Sequence, residues 1–466
     1  LVDQEKIHNQ CLSEDIEERI DALEELRNFF SVIPDKEQAW NDLHRLTKDE
    51  ESDVRYGTAE VFGFAFFYVP DKQQAWNDLI RLTKDEDSFV RLSAAEVLES
   101  AFFHVPDKQQ AWNELIKLTK DEDSDVRSIA AAALNSAFSQ VLDKKKAWED
   151  LNRLINDEDS YVRSNAAEAL GFAFFQVPDK KKTWNDLHRL TKDEESDVRS
   201  AVAETLGFAF SDLPDKQQAW NDLIRMTNDE ESDVTVYANH SLGRVSIYKA
   251  SQAETEEIYK KELEKAIEFF ETAANEPYIR SNPAQFCLPF YRSFHSIIFK
   301  KQEAREEVDK YLNEAKAAIE SSESKKQLFE AVQNLAEALK EVQNLESLDL
   351  SEMKDELNFY RKYCDRAVEL MKCTDEKAPL ATEVLRKGLS ILDRNIKRIL
   401  EEIQEKAKTA CKVSQGTATK EIACAVSREI QKWEIGGNQE EVAQKVEDIA
   451  YILKIKVADL PENKYF

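Results

Sequence analysis

The sequence predicts an all-α protein, an α-solenoid of stacked helical hairpins followed by a bundle of long helices. Trp40, Trp76, Trp112, Trp148, Trp184 and Trp220 stand 36 residues apart with no insertion or deletion between them, so one unit is copied in tandem. A period of this length belongs to helix-turn-helix repeats, whose units cannot bury an apolar face alone and find their core in the neighbouring copy. The composition agrees, with only 9 Gly and 10 Pro among 466 residues and 33% of them charged. From about Ser251 the period ends and long amphipathic patterns take over.

The frame begins before the first tryptophan. Arg19, Ala22, Leu26, Phe30 and Pro34 stand in register with Arg55, Thr58, Phe62, Phe66 and Pro70. Residues 1–33 therefore read as a degenerate N-terminal repeat or cap, 34–249 as six 36-residue repeats, and 250–466 as a C-terminal helical domain. Because Leu1 opens inside the frame, a natural cap and the stump of a longer protein both remain open.

Within one unit, Asp71 precedes Gln74 by three residues, a capping-box spacing that starts a first helix. Ala75, Trp76, Leu79 and Leu82 then share one face. After Lys84-Asp85-Glu86-Asp87, Ser88 reads as the N-cap of a second helix beginning near Val90. Its pattern is clearest in Val162, Ala166, Leu170, Ala173 and Phe174, a single apolar stripe. Small alanines let helices approach, and the phenylalanine fills the space between units.

The string from Asp157 to Gly171, with Val162-Arg163, Ala166-Ala167 and Leu170-Gly171 at its centre, resembles the second-helix signature of HEAT repeats, particularly the PBS-lyase HEAT-like form. The same columns recur at Val54-Arg55, Val90-Arg91, Val126-Arg127 and Val198-Arg199 and fail at Val234-Thr235, so the resemblance covers about residues 13–248. It implies an α-solenoid of HEAT-like helical hairpins. It also implies that the arginines pair with Asp49, Asp85, Asp121, Asp157, Asp193 and Asp229 in a ladder along the stack. An anion-binding row is the other reading, disfavoured by the surrounding carboxylates. The tryptophans likewise read as core, with a ligand platform as the alternative. Thr235, Asn239 and Ser246 replace the Arg, Ala and Phe columns in the last copy, whose outer face must meet something different.

Charge is uneven along the chain. Of the net −28, residues 1–250 contribute −21, from 51 acidic and 30 basic side chains, and the remainder contributes −7. Such a field repels phosphate backbones and anionic lipid and favours basic partners. The six cysteines show no paired CxxC pattern and read as reduced thiols, which suits a cytoplasmic protein. No run of apolar residues reaches spanning length, and no leader pattern opens the sequence.

Two surfaces stand out. The resemblance places second helices on a concave side, where Glu60, Glu96, Glu168 and Glu204 form an outward column that Ala132 interrupts and His240 ends. One turn further on stand Phe64, Phe172 and Phe208, sharing their column with Ser100, Ser136 and Arg244. A basic segment with apolar anchors meets both features there. The alternative is that the phenylalanines tuck under the next loop and the glutamates are solvated. The second surface is the acidic row of interhelix turns. It lacks the glycine turn and spaced bidentate glutamate of a calcium loop and reads as a solvated ladder edge.

In the second half, Leu328, Val332, Leu335, Leu339 and Val342 form a short coiled-coil seam. Further helices are expected at about 254–274, 289–320, 351–373, 378–410, 415–433 and 438–454. The proline-rich segment from Asn282 to Phe294 reads as non-helical, either docking the bundle or forming a binding loop. Its residues Phe286 to Phe294, with Tyr360 to Ala367, resemble the helical region that follows HEAT-like arrays in a set of archaeal proteins, and that resemblance brings no activity with it.

The six histidines are scattered, with no His-x-x-x-His or His-Glu pair. Phosphate-loop and nucleophile motifs are absent too. The expectation is a non-enzymatic scaffold that takes a basic protein or peptide, with no cofactor, metal, nucleic acid or membrane. A regulatory arm of a larger effector, or a lyase-type subunit holding a hydrophobic ligand, are the alternatives. The oligomeric state is not legible.

Overall fold

The structure, a computed structural model, describes residues 2–413 except 69–70, 106, 139–142, 277–281, 300–304, 320–321, 343–349 and 375–377. The helices expected at 415–433 and 438–454 lie outside the described residues. Two compact units divide the chain after Leu242.

In the first unit, α1 (Gln4–Cys11) and α2 (Ile16–Phe29) precede a series of hairpins. These pair α3 (Lys36–Leu46) with α4 (Ser52–Ala65), α5 (Lys72–Leu82) with α6 (Ser88–Ala101), and α7 (Lys108–Leu118) with α8 (Ser124–Phe138). They continue as α9 (Lys144–Leu154) with α10 (Ser160–Phe172), α11 (Lys180–Leu190) with α12 (Ser196–Ala209), and α13 (Lys216–Met226) with the first part of α14 (Ser232–Ser251), the helix in which the unit boundary falls. Every first helix from α3 onward starts on an aspartate. Asp35, Asp71, Asp107, Asp143, Asp179 and Asp215 each accept the N–H three residues on, at 2.9–3.0 Å. Such a cap stabilises a helix by about 1 kcal/mol.

The second helices start one residue earlier than the sequence suggests. Ser88 is already inside α6, and its cap is Asp87, whose carboxylate accepts from the N–H groups of Phe89 and Val90. Asp159 does the same for α10. A carboxylate brings negative charge to the positive end of the helix dipole, which a serine hydroxyl does not.

The core follows the period. Ala75, Trp76, Leu79 and Leu82 are fully buried, as are Val162, Ala166 and Leu170. Trp40, Trp76, Trp112, Trp148 and Trp184 are buried, and two of them hydrogen-bond into the next copy. Trp76 Nε1 donates to Gln110 Oε1 at 2.8 Å, and Trp148 Nε1 to Thr183 Oγ1 at 2.7 Å. Trp220, with no further 36-residue copy after it, is only partly buried.

The arginine column also points forward. Arg55 donates Nε and Nη2 to Asp85, both at 2.8 Å, while its Nη1 reaches the carbonyl oxygens of Asp49 and Glu50 at 2.9 and 3.0 Å. The same pairing links Arg19, Arg91, Arg127, Arg163 and Arg199 to an aspartate 30 residues on. It ends at Asp229, held below the ordinary carboxylate range by Arg199, because Thr235 stands where the next arginine belongs. With all these forks occupied inside the fold, the column is a structural ladder.

A third column was not read from the sequence. His8 Nδ1 lies 2.9 Å from Asp42, and His44 and His188 meet Asp78 and Asp222 in the same way. Each histidine thus joins one first helix to the next over a buried carboxylate. The second helices pack more closely than the first, and small residues permit it. A Cβ on Gly171 would lie 2.5 Å from Thr205 Cγ2 on the adjacent helix.

The second unit continues with α15 (Glu256–Ala274), α16 (Ala284–Phe299), α17 (Arg305–Ala317), α18 (Glu323–Val342), α19 (Leu350–Thr374) and α20 (Pro379–Val413). The segment expected to be non-helical is mostly α16, with Pro289 inside it, and the pattern at 289–320 divides into α16 and α17. Asn282 caps its start, accepting the Ala284 N–H at 2.9 Å and donating to the Ala273 carbonyl at 2.6 Å. An interior proline costs a helix about 3 kcal/mol. Burial of Phe286, Phe290, Tyr291, Phe294, Ile297 and Ile298 on this one helix outweighs it. Leu328, Val332 and Leu335 of the seam are buried on α18, which packs along α19.

Candidate second-helix binding face

The face is built from positions one helical turn apart on successive second helices, pointing away from the buried stripe. On α4, Glu60 is half-buried and Phe64 is 53% exposed. Tyr56 donates its hydroxyl to Glu60 Oε1 at 3.3 Å. From α2, Arg27 Nη1 stands 3.9 Å from Glu60 Oε2, and its guanidinium carbon lies 5.2 Å from the centre of the Phe64 ring. On α6, Glu96 is exposed; partial desolvation, then the charges of Glu60 and Glu99, raise its pKa.

On α10, Glu168 is half-buried, and Phe172 is 47% exposed. On α12, Glu204 and Phe208 are both half-buried. The Phe172 and Phe208 rings meet at 4.8 Å between centroids, tilted by 42°. Burial, then the charge of Glu204, pushes the Glu168 carboxyl up to about 7. Tyr237 on α14 is raised chiefly by burial, then by the charges of Glu204, Asp233 and Glu168.

The seven side chains therefore fall into two patches. Glu60, Phe64 and Glu96 lie across α4 and α6, and Glu168, Phe172, Glu204 and Phe208 across α10 and α12. Between them α8 offers Ala132 at the glutamate level. His240, which ends the column in the sequence, is buried instead of outward.

Sequence reasoning missed four contributors. Phe67, Tyr68 and Phe175 are exposed just past the ends of α4 and α10. Phe67 also packs edge-on against His104, at 4.8 Å. Arg27 escaped because it lies in the divergent first copy, at the position of Gly63 in the next. Among the described residues, no group of three or more His, Cys, Asp or Glu is placed to hold a metal ion, and no helix is long and apolar enough to cross a membrane.

A family model described as HEAT repeats matches residues 42–135 and 149–243, within the hairpin array. No curated protein matches the chain. Similar solved structures include YibA of Escherichia coli, 19% identical over 62% of this chain and 95% of that one, with a TM-score of 0.38. Kap95p, in a complex with RanGDP, is 11% identical over 96% of this chain and 68% of its own, with a TM-score of 0.44. Kap121p bound to Pho4p is 14% identical over 95% of this chain, with a TM-score of 0.41, and this chain spans 51% of it. With the repeats matched and the hairpins in place, the first unit is a HEAT-repeat α-solenoid.

Proposed function

We propose that the array is a non-enzymatic interaction scaffold whose second-helix face, through Glu60, Phe64, Glu96, Glu168, Phe172, Glu204 and Phe208, binds a basic protein or peptide segment. The observation that carries this is a pairing. Exposed Phe64 and Phe172 each stand one turn beyond a half-buried glutamate. The arginines and the histidine-bound aspartates of the array hold its copies together within the fold. Apolar anchors set beside carboxylates suit a partner of opposite charge with apolar side chains of its own. The surplus of carboxylates disfavours nucleic acid. No cofactor enters this reading.

The test is affinity capture with the whole chain, followed by titration of the captured partner. Changing Glu168 and Glu204 to Lys places like charges across the contact and should weaken binding and slow association. Phe172→Ala should act mainly on dissociation. Unchanged affinity in both folded variants would discard this face as the partner surface.

A further inference from the structure

We infer that the Glu168–Phe172 pair on α10 is a seat for an arginine side chain of the partner segment. The inference rests on the binding-face reading above and adds the identity of one anchor. Its basis is that the chain already fills an equivalent seat with its own arginine. At Glu60 and Phe64, Arg27 lays its guanidinium 5.2 Å from the ring centre and 3.9 Å from the carboxylate. Glu168 and Phe172 repeat that pair three copies later, 108 residues on in both cases. Moving Arg27 by the same interval lands on Asn135, which carries no charge. The repeat thus keeps the carboxylate and the ring and leaves out the cation.

The surroundings of the second seat support the same ligand. Phe172 keeps 47% of its surface open, with Phe208 against one part of the ring. Among the described residues no hydrogen bond or ion pair reaches the Glu168 carboxylate. Among the described residues, the titratable groups whose charges act with it are Glu204 from α12 and Tyr237 from α14, while α8 has Ala132 at the corresponding position. Neither group is a cation. Burial and Glu204 push the Glu168 carboxyl up to about 7, so an arriving cation would lower it and release a proton. A guanidinium suits the seat better than an ammonium. It stacks flat on a ring while its edge donates to a carboxylate, and it is more weakly hydrated.

The test uses the full chain and two short peptides, one alternating Arg and Leu, the other alternating Lys and Leu. Calorimetric titration in buffers of different ionisation enthalpy reads affinity and proton release together. The arginine peptide should bind about tenfold more tightly than the lysine peptide and release protons. Glu168→Gln should abolish the proton release, and Phe172→Leu should remove the arginine preference. Asn135→Arg, which puts an arginine at the sequence position that corresponds to Arg27, should weaken the arginine peptide by about tenfold. If both peptides bind equally, Glu204→Lys weakens both, and Glu168→Gln alters neither proton release nor preference, the arginine seat is wrong and the binding face stands. If neither peptide binds, or Glu204→Lys leaves binding intact, the binding-face reading fails and the seat with it.

Discussion

Arg163 on α10 grips Asp193, in the turn of the following hairpin, with Nε and Nη2 donating at 3.1 and 2.8 Å. Their side chains are only 10% and 9% exposed. The remaining amino group, Nη1, donates to the carbonyl oxygens of Asp157 and Glu158, both at 3.0 Å. One guanidinium therefore closes its own turn and holds the next copy.

Arg163→Met should destabilise the array by about 3–5 kcal/mol, because it strands a buried carboxylate and two carbonyl groups. Arg163→Lys should recover little of this, since an ammonium cannot span both partners. Urea unfolding of the intact chain checks it, and a loss below about 1 kcal/mol would show the pair to be dispensable.

Trp148→Ala should cost about 3–5 kcal/mol by opening a cavity between copies. Trp148→Phe keeps most of the volume but leaves Thr183 Oγ1 without its indole donor, at about 1–2 kcal/mol. Both are read from thermal unfolding. Equal effects for the two would mean that the hydrogen bond, which both lose, and not the packing is the whole contribution.

Two glycines should respond oppositely to alanine. At Gly171 the new methyl meets Thr205 Cγ2 at 2.5 Å and Oγ1 at 2.8 Å, so about 1–3 kcal/mol should be lost. At Gly63 the nearest atom is Val97 Cγ2 at 3.6 Å, and a helical alanine should gain about 0.5–1 kcal/mol. Losses at both positions would contradict the uneven spacing of the second helices.

Glu168 should make stability depend on pH in a defined direction. Its carboxyl is raised from 4.5 to about 7, so the folded protein holds a proton that the unfolded chain releases. That contribution is fully present below about pH 4.5 and is lost as pH rises through about 7. Glu168→Gln should therefore match the parent near pH 4.5 and exceed it at pH 8 by about 1–2 kcal/mol, allowing for solvent screening. Melting curves across this range check it, and a pH-independent difference would show that Glu168 titrates normally.

The period exposed what repeats and concealed what differs. Trp76, Arg163 and Ala166 could be assigned from their columns because each column stays buried up to the last copy. The column of Glu60, Glu96, Glu168 and Glu204 looks uniform in sequence, yet Glu96 is exposed while Glu168 is half-buried. That contrast depends on how closely α10 and α12 approach, which Gly171 and Thr205 decide jointly and no single position announces. The histidine column did leave a signal, a His–Asp spacing of 34 at His8, His44 and His188. Searching within one helix for metal or catalytic spacings passed over it. Pro289 argued against a helix locally, and only the burial of its neighbours overrules that.

Because every rung of the arginine ladder runs forward by the same interval, any 36 consecutive residues removed from the interior bring an arginine back onto an equivalent aspartate. The aspartate caps realign by the same shift. Length is thus separable from structure: whole copies are interchangeable, and recombination between them yields shorter or longer arrays whose junctions are already matched. What such an exchange alters is the distance between the Glu60–Phe64 and Glu168–Phe172 pairs, which grows or shrinks by whole copies.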